Sequence, residues 1–209
     1  MVDGIVKAAD ISIAAPELPV PLVRRPHLIE TIEKILQADV DLVCVEAPAG
    51  YGKTTLLLEF ATHGRGESFV AFHGSASRAT HDPAFVRHDL ADQLHWFLES
   101  ERRPTDRECT DGDLRTLWRR CATRLSHQGN PGFVLVDGLH HLSPRDVGAR
   151  DGILDLLPLG YPAFKVLLSG AVDDILTARI RKMRVKPYTI SAFAPRETDE
   201  YLEDRANSF

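Results

Sequence analysis

The nine residues APAGYGKTT at positions 47–55 constrain this chain more than any other stretch. They follow a short apolar run, DLVCVEA at 41–47, which reads as a buried strand, and they lead into a helical pattern over 54–62. A strand that turns into a helix through two glycines can curl its backbone N–H groups around one point. Gly50 and Gly52 permit the positive φ values that such a nest requires. The helix opening near Lys53 aims its free N–H groups and its partial positive charge at the same point. A polyphosphate is the ligand this arrangement suits. The stretch is a P-loop pattern with Ala47 where the first glycine usually stands. Phosphate capture is expected from residues 49–55, that is Ala49, Gly50, Tyr51, Gly52, Lys53, Thr54 and Thr55. Lys53 would reach the β- and γ-phosphates, Thr54 would place its hydroxyl on Mg²⁺, and Thr55 would touch the α-phosphate.

A second motif supports the first. GFVLVD at 132–137 is an apolar strand that ends in an acid. Many buried strands end in Asp, so alone it says little. Beside a P-loop, Asp137 is a candidate to hold Mg²⁺ through water or to orient an attacking water. A strand at 68–72 lies between the two motifs in sequence, which leaves room for a strand between them in the sheet.

The rest of the chain alternates helices with short strands. Helices are expected over 28–36, 82–100, 113–126, 150–157, 175–183 and 195–206. Further strands are expected over 164–169 and 187–190. Such alternation predicts an α/β fold, a parallel sheet with helices on both faces. Residues 1–21, with Pro16, Pro19 and Pro21, read as an extended leader. The expected nucleotide-binding domain spans 22–192, and 193–209 reads as the start of a helical lid module cut short.

Charge and composition narrow the function classes. With 25 Lys+Arg against 30 Asp+Glu the net charge is −5, which argues against a free-standing nucleic-acid binder. Cys44, Cys109 and Cys121 form no metal spacing and cannot all pair, which fits a reducing compartment. The N-terminus has no basic-then-apolar signal, and no apolar run approaches membrane length, so a cytoplasmic protein is expected.

Several motifs together resemble a known family. PLVRRPHL at 21–28 and APAGYGKTT at 47–55 come first, then Asp82-Pro83 with Phe85, and Asp137 with His140. Ser169, LTARIR at 176–181 and FAPRETDEYL at 193–202 follow in order. This set resembles the nucleotide-binding domain of large LuxR-type, maltose-regulator-like transcription activators, within the STAND class of signalling ATPases. The resemblance covers residues 16–206. It implies a P-loop NTPase three-layer α/β/α sandwich of five strands, with the third and fourth strands inserted beside the P-loop strand. By position it implies Arg25 near the nucleotide base, and Ser169 among the nucleotide-binding residues. It further implies ATP or ADP with Mg²⁺ as cofactors, slow hydrolysis and self-association through the ATP form; the charge balance and the lack of a long apolar run give the separate expectation of no direct nucleic-acid or membrane contact from this segment. Three departures matter: the helical and winged-helix lid, sensor repeats and DNA-binding module of such activators are not among these residues, and two motif positions differ. Gly138 replaces the usual second acid, and Gly170 replaces the usual Arg. An Arg in such a role is worth about 10³–10⁵ in rate, so binding should survive these losses better than hydrolysis.

Other candidates are open to two readings. Adjacent His140 and His141 could ligate a metal, but no spacing places a third ligand, and a loop or packing role is the plainer reading. Residues 179–186 hold five cations, which suits either an acidic partner or a solvated helix end. Glu46 could be a base or a strand residue facing a polar neighbour, while Trp96, Trp118 and Cys44 read as packing residues. The leading expectation is a switch domain with weak ATPase activity. A binding-only module is the alternative. A small-molecule kinase is the third, with 179–186 as its only candidate lid.

Overall fold

The computed structural model describes residues 7–13, 15, 17–18, 22–73, 81–101, 108–139, 147–170, 178 and 180–206. The strands are β1 (Leu42–Glu46), β2 (Glu67–His73), β3 (Gly132–Asp137), β4 (Phe164–Ser169) and β5 (Val185–Thr189). They form one sheet in the order β2-β3-β4-β1-β5, and every pairing is parallel. β4, not the strand at 68–72, separates β1 from β3; that strand, β2, lies at the edge.

Side-chain alternation assigns the two faces. Leu42, Cys44, Phe69, Val134, Val136, Val166 and Leu168 point to one side. There they meet α3 (Pro83–Glu99), α4 (Asp111–Gln128) and α5 (Val147–Leu156). Val43, Val45, Val70, Leu135 and Leu167 point to the other side, against α1 (Pro26–Gln37) and α2 (Lys53–His63). The result is a three-layer α/β/α sandwich, as the alternation predicts. Local chemistry sets the helix starts. Asp82 accepts from the Ala84 N–H at 2.9 Å, with Pro83 at the first helical position. Thr110 and Asp113 form a reciprocal capping box before α4.

The centre of the first face is aromatic. Trp118 is buried, its ring 4.8 Å from Phe164 and 5.7 Å from Phe69, both edge-on. Its indole N–H donates to the Leu156 carbonyl at 3.0 Å. The three cysteines are free and buried, and burial pushes the Cys44 and Cys121 thiols up to about 12.

Three expectations change. The leader is not simply extended: Ala8–Ile11 is a 3₁₀ turn with Ala8, Ala9 and Ile11 buried. Lys7 Nζ donates to the Ala61 and Gly64 carbonyls, and Ser12 and Ile13 donate to the Asp89 carboxylate. This packing covers part of the β2 edge, where Gln93 also bonds both the N–H and the carbonyl of Val70. The last strand begins at Val185, two residues before the expected 187. It is an edge strand with exposed positions, so its apolar signal is weak. Of the helix expected at 175–183, residues 175–177 and 179 lie outside the described residues; Ala178 and Ile180 are helical and the chain turns at 181–182.

Asp41 joins the starts of β1, β4 and β5. Its carboxylate accepts from Arg184 Nε at 3.0 Å and Nη2 at 2.8 Å, and Lys165 Nζ lies 3.6 Å away. The Arg184 guanidinium holds the Asp41 carboxyl at about 2. A carboxyl held low in the fold stabilises it above the unfolded value near 4, and that contribution disappears as pH falls towards 2. Asp41→Asn is therefore expected to lower Tm at pH 7 and to flatten its decline between pH 4 and 2. Thermal unfolding across pH checks this; parallel wild-type and variant curves would contradict it.

Candidate functional site

The expected site residues gather at the carboxyl ends of β1, β3 and β4, because a parallel sheet brings these ends to one edge. Gly50 and Gly52 adopt φ of +82° and +80°. A Cβ built on either meets nothing within 4 Å, so the loop's turns are open rather than packed against protein. Gly52 caps α2 with no side-chain hydrogen bond, and Lys53, Thr54 and Thr55 form its first turn. The first N–H groups of α2 thus have no side-chain cap at the loop. Lys53 Nζ donates to the Ala47 and Pro48 carbonyls at 2.7 and 2.9 Å, which ties it across the loop entrance. Ala49 and Tyr51 are exposed on the loop.

The acid sits where β3 ends. Asp137 is 6% exposed and in register with Ser169 on β4, which is itself in register with Val45 on β1. Thr54 Oγ1 donates to Asp137 Oδ2 at 2.6 Å. The Ser169 hydroxyl donates to Asp137 Oδ1 and accepts from the Gly138 N–H at 3.1 Å. Thr54, Asp137 and Ser169 therefore form one hydrogen-bonded chain across three elements. Ser169 is buried, and its hydroxyl is engaged with Asp137 and the Gly138 N–H. Ser169→Ala would remove the hydrogen bonds that Ser169 makes to the Gly138 N–H and to Asp137 Oδ1. A loss of about 1–3 kcal/mol is expected, read by chemical denaturation; an unchanged midpoint would contradict their contribution.

Gly138 and Gly170 have φ of +74° and +116°. A side chain at either position would strain the backbone. The two motif departures from the family pattern are thus also positions where this backbone favours glycine. Gly170 N–H donates to the Val45 carbonyl at 3.0 Å, closing β4 onto β1.

Arg25 precedes α1 and is buried. It pairs with Glu197 at 3.0 Å, donates to the Ser191 and Ala192 carbonyls, and lies 5.2 Å from the Phe193 ring centroid. Glu197 opens α6 (Pro195–Ala206), and its other oxygen accepts from the Ala194 N–H at 2.7 Å. Burial opposes charge on Glu197, but the Ala194 N–H and Arg25 hold its carboxyl below the usual range. Arg25 thus ties α1 to α6. The chain enters this junction from the end of β5, where the Ile190 N–H donates to the Glu46 carbonyl at 3.0 Å. Sequence reading placed Arg25 but missed Glu197, whose distance along the chain hides the pairing.

Glu46 ends β1 in register with Thr189. His140 and His141 lie outside the described residues. Among the described residues, no three His, Cys, Asp or Glu side chains group as a metal cage. Of the cationic stretch, Arg179 lies outside the described residues. Arg184 accepts from the Asp41 N–H before β5, so it lies at the opposite end of the sheet from the loop.

This architecture has relatives of known structure. It is similar to the Walker-type ATPase PABY2304 of Pyrococcus abyssi, at 14% identity and TM-score 0.60, over 92% of this chain and 61% of that one. It is also similar to Cdc6p of Pyrobaculum aerophilum, at 14% identity and TM-score 0.50, over 97% of this chain and 54% of that one. The chain has the P-loop ATPase fold. It spans about three fifths of the length of the first and about half of the second. No protein-family model and no curated protein sequence matches it. No described helix is long and apolar enough to cross a membrane.

Proposed function

We propose that this chain is a Mg-ATP/ADP-binding switch domain of a STAND-type signalling ATPase, with slow hydrolysis. The observation that carries the proposal is the hydrogen-bonded chain from half-buried Thr54 to buried Asp137 and Ser169 at the foot of an open glycine loop. Its oxygen donors suit Mg²⁺, which when bound neutralises phosphate charge. The loop N–H groups of residues 49–55 receive the phosphates, and Lys53 leaves its carbonyls to reach them. Thr54 and Asp137 hold the metal, and Ser169 keeps Asp137 aimed at Thr54. By resemblance Arg25 would lie near the base, and it carries beside it the exposed ring of Phe193. We assign 22–192 to the nucleotide domain and α6 to the start of a lid, with Arg25–Glu197 as the link. Self-association of the ATP form belongs to the same proposal.

Slow turnover follows from the glycines at 138 and 170, which supply neither a second acid nor an Arg. The same feature favours a binding-only module as the second reading. Phosphate release from Mg-ATP separates the two. The expected rate is well below ~1 s⁻¹, the low end of ordinary enzymes, and Asp137→Asn should abolish it. Firm ATP binding with no release would replace the switch by the binding-only module.

A further inference from the structure

The cationic stretch at 179–186 plays no part in the phosphate site, yet the structure gives it a setting. Arg181 and Lys182 border a cleft of about 430 Å³ at the amino end of the sheet. That volume lies within the range of small-molecule sites. Tyr161, Phe164 and Met183 give the cleft an apolar wall, with Phe164 continuous with the aromatic core around Trp118.

The charges at the rim are not equivalent. Asp41 and Arg184 also line the cleft, but Arg184 is engaged, forked onto Asp41 and paired with Asp39, and Lys165 lies 3.6 Å from the Asp41 carboxylate, so that acid is balanced by cations. Arg181 and Lys182 are exposed, and neither has an acidic partner among the described residues. Two solvated cations would hold a bare inorganic anion weakly. A neutral apolar molecule would fill the wall but leave both cations unused. An anion with an apolar body satisfies both features at once, because its rings cover the wall while its charge meets the rim.

We propose that this cleft binds a small organic anion with an aromatic or branched apolar body, such as an aryl carboxylate. The proposal is independent of the phosphate site, which lies at the other end of the sheet.

The test uses the 209-residue chain labelled with ¹⁵N and titrated with 2-naphthoate, then with neutral 2-naphthamide. Saturable shifts of the Gly160, Ala178 and Met183 amides are expected, with naphthamide at least about tenfold weaker. The double substitution Arg181→Ala with Lys182→Ala should weaken naphthoate by about the same factor and leave Tm unchanged, since both side chains are exposed. Lys53→Ala should leave naphthoate binding intact. No shift at these amides up to millimolar probe, or equal binding of the two probes, would overturn the proposal. So would shifts confined to residues 49–55, or a poly-glutamate peptide binding the cleft in preference to naphthoate, which would make it a protein-docking surface.

Discussion

Lys53→Ala is expected to weaken ADP and ATP binding by about a hundredfold or more, the largest effect of any single change at the loop. The ammonium group is the only charged donor on the loop at 47–55. A charge-assisted hydrogen bond is worth about 1.5–3 kcal/mol, and Lys53 would make such bonds to two phosphates. In the structure its Nζ instead spans the Ala47 and Pro48 carbonyls, at 2.7 and 2.9 Å. The substitution therefore also frees the loop entrance. These bonds are partly solvent-exposed, so the expected change in Tm is small. Isothermal titration beside thermal unfolding separates the two effects. Lys53→Arg is expected to recover only part of the affinity, because a planar guanidinium does not reproduce a compact ammonium. Unchanged affinity in Lys53→Ala would remove the lysine from the site.

Trp118→Ala is expected to be the most destabilising core substitution. The side chain is 2% exposed, stacks edge-on with Phe69 and Phe164, and donates to the Leu156 carbonyl. Truncating a buried aromatic to alanine costs about 3–5 kcal/mol, and the freed carbonyl adds to this. For a domain of this size the loss corresponds to a fall in Tm of roughly 10 °C. Urea unfolding measures it directly. A cost below about 1 kcal/mol would mean that Trp118 does not organise this face.

The parts of the fold that sequence reading recovered share a physical cause. β3 and β4 are central strands, buried on both faces, so GFVLVD and FKVLLS stand out as apolar runs with sharp ends. The phosphate loop was legible because its glycines, lysine and threonines must be contiguous. Ser169 was placed in the site, but its service to Asp137 was not visible, since that bond joins residues on two strands. Gly138 and Gly170 read as missing charge, and only their positive φ shows that the backbone turns there. The buried turn at Ala8–Ile11 escaped because a four-residue turn is too short to show a helical or strand period. Its anchors, Glu67 and Asp89, lie far away in sequence.

The central claim is that residues 49–55 bind a nucleotide's phosphates with Mg²⁺ placed by Thr54 and Asp137. The most direct measurement is a titration of the ¹⁵N-labelled chain with ADP, with Mg²⁺ and then with EDTA. The predicted result is one saturable site, with the largest shifts at the amides of Gly50, Gly52, Lys53 and Thr54. Tighter binding is expected with Mg²⁺, and Asp137→Asn should lose that gain. No saturable binding, or shifts centred away from the loop, would contradict it.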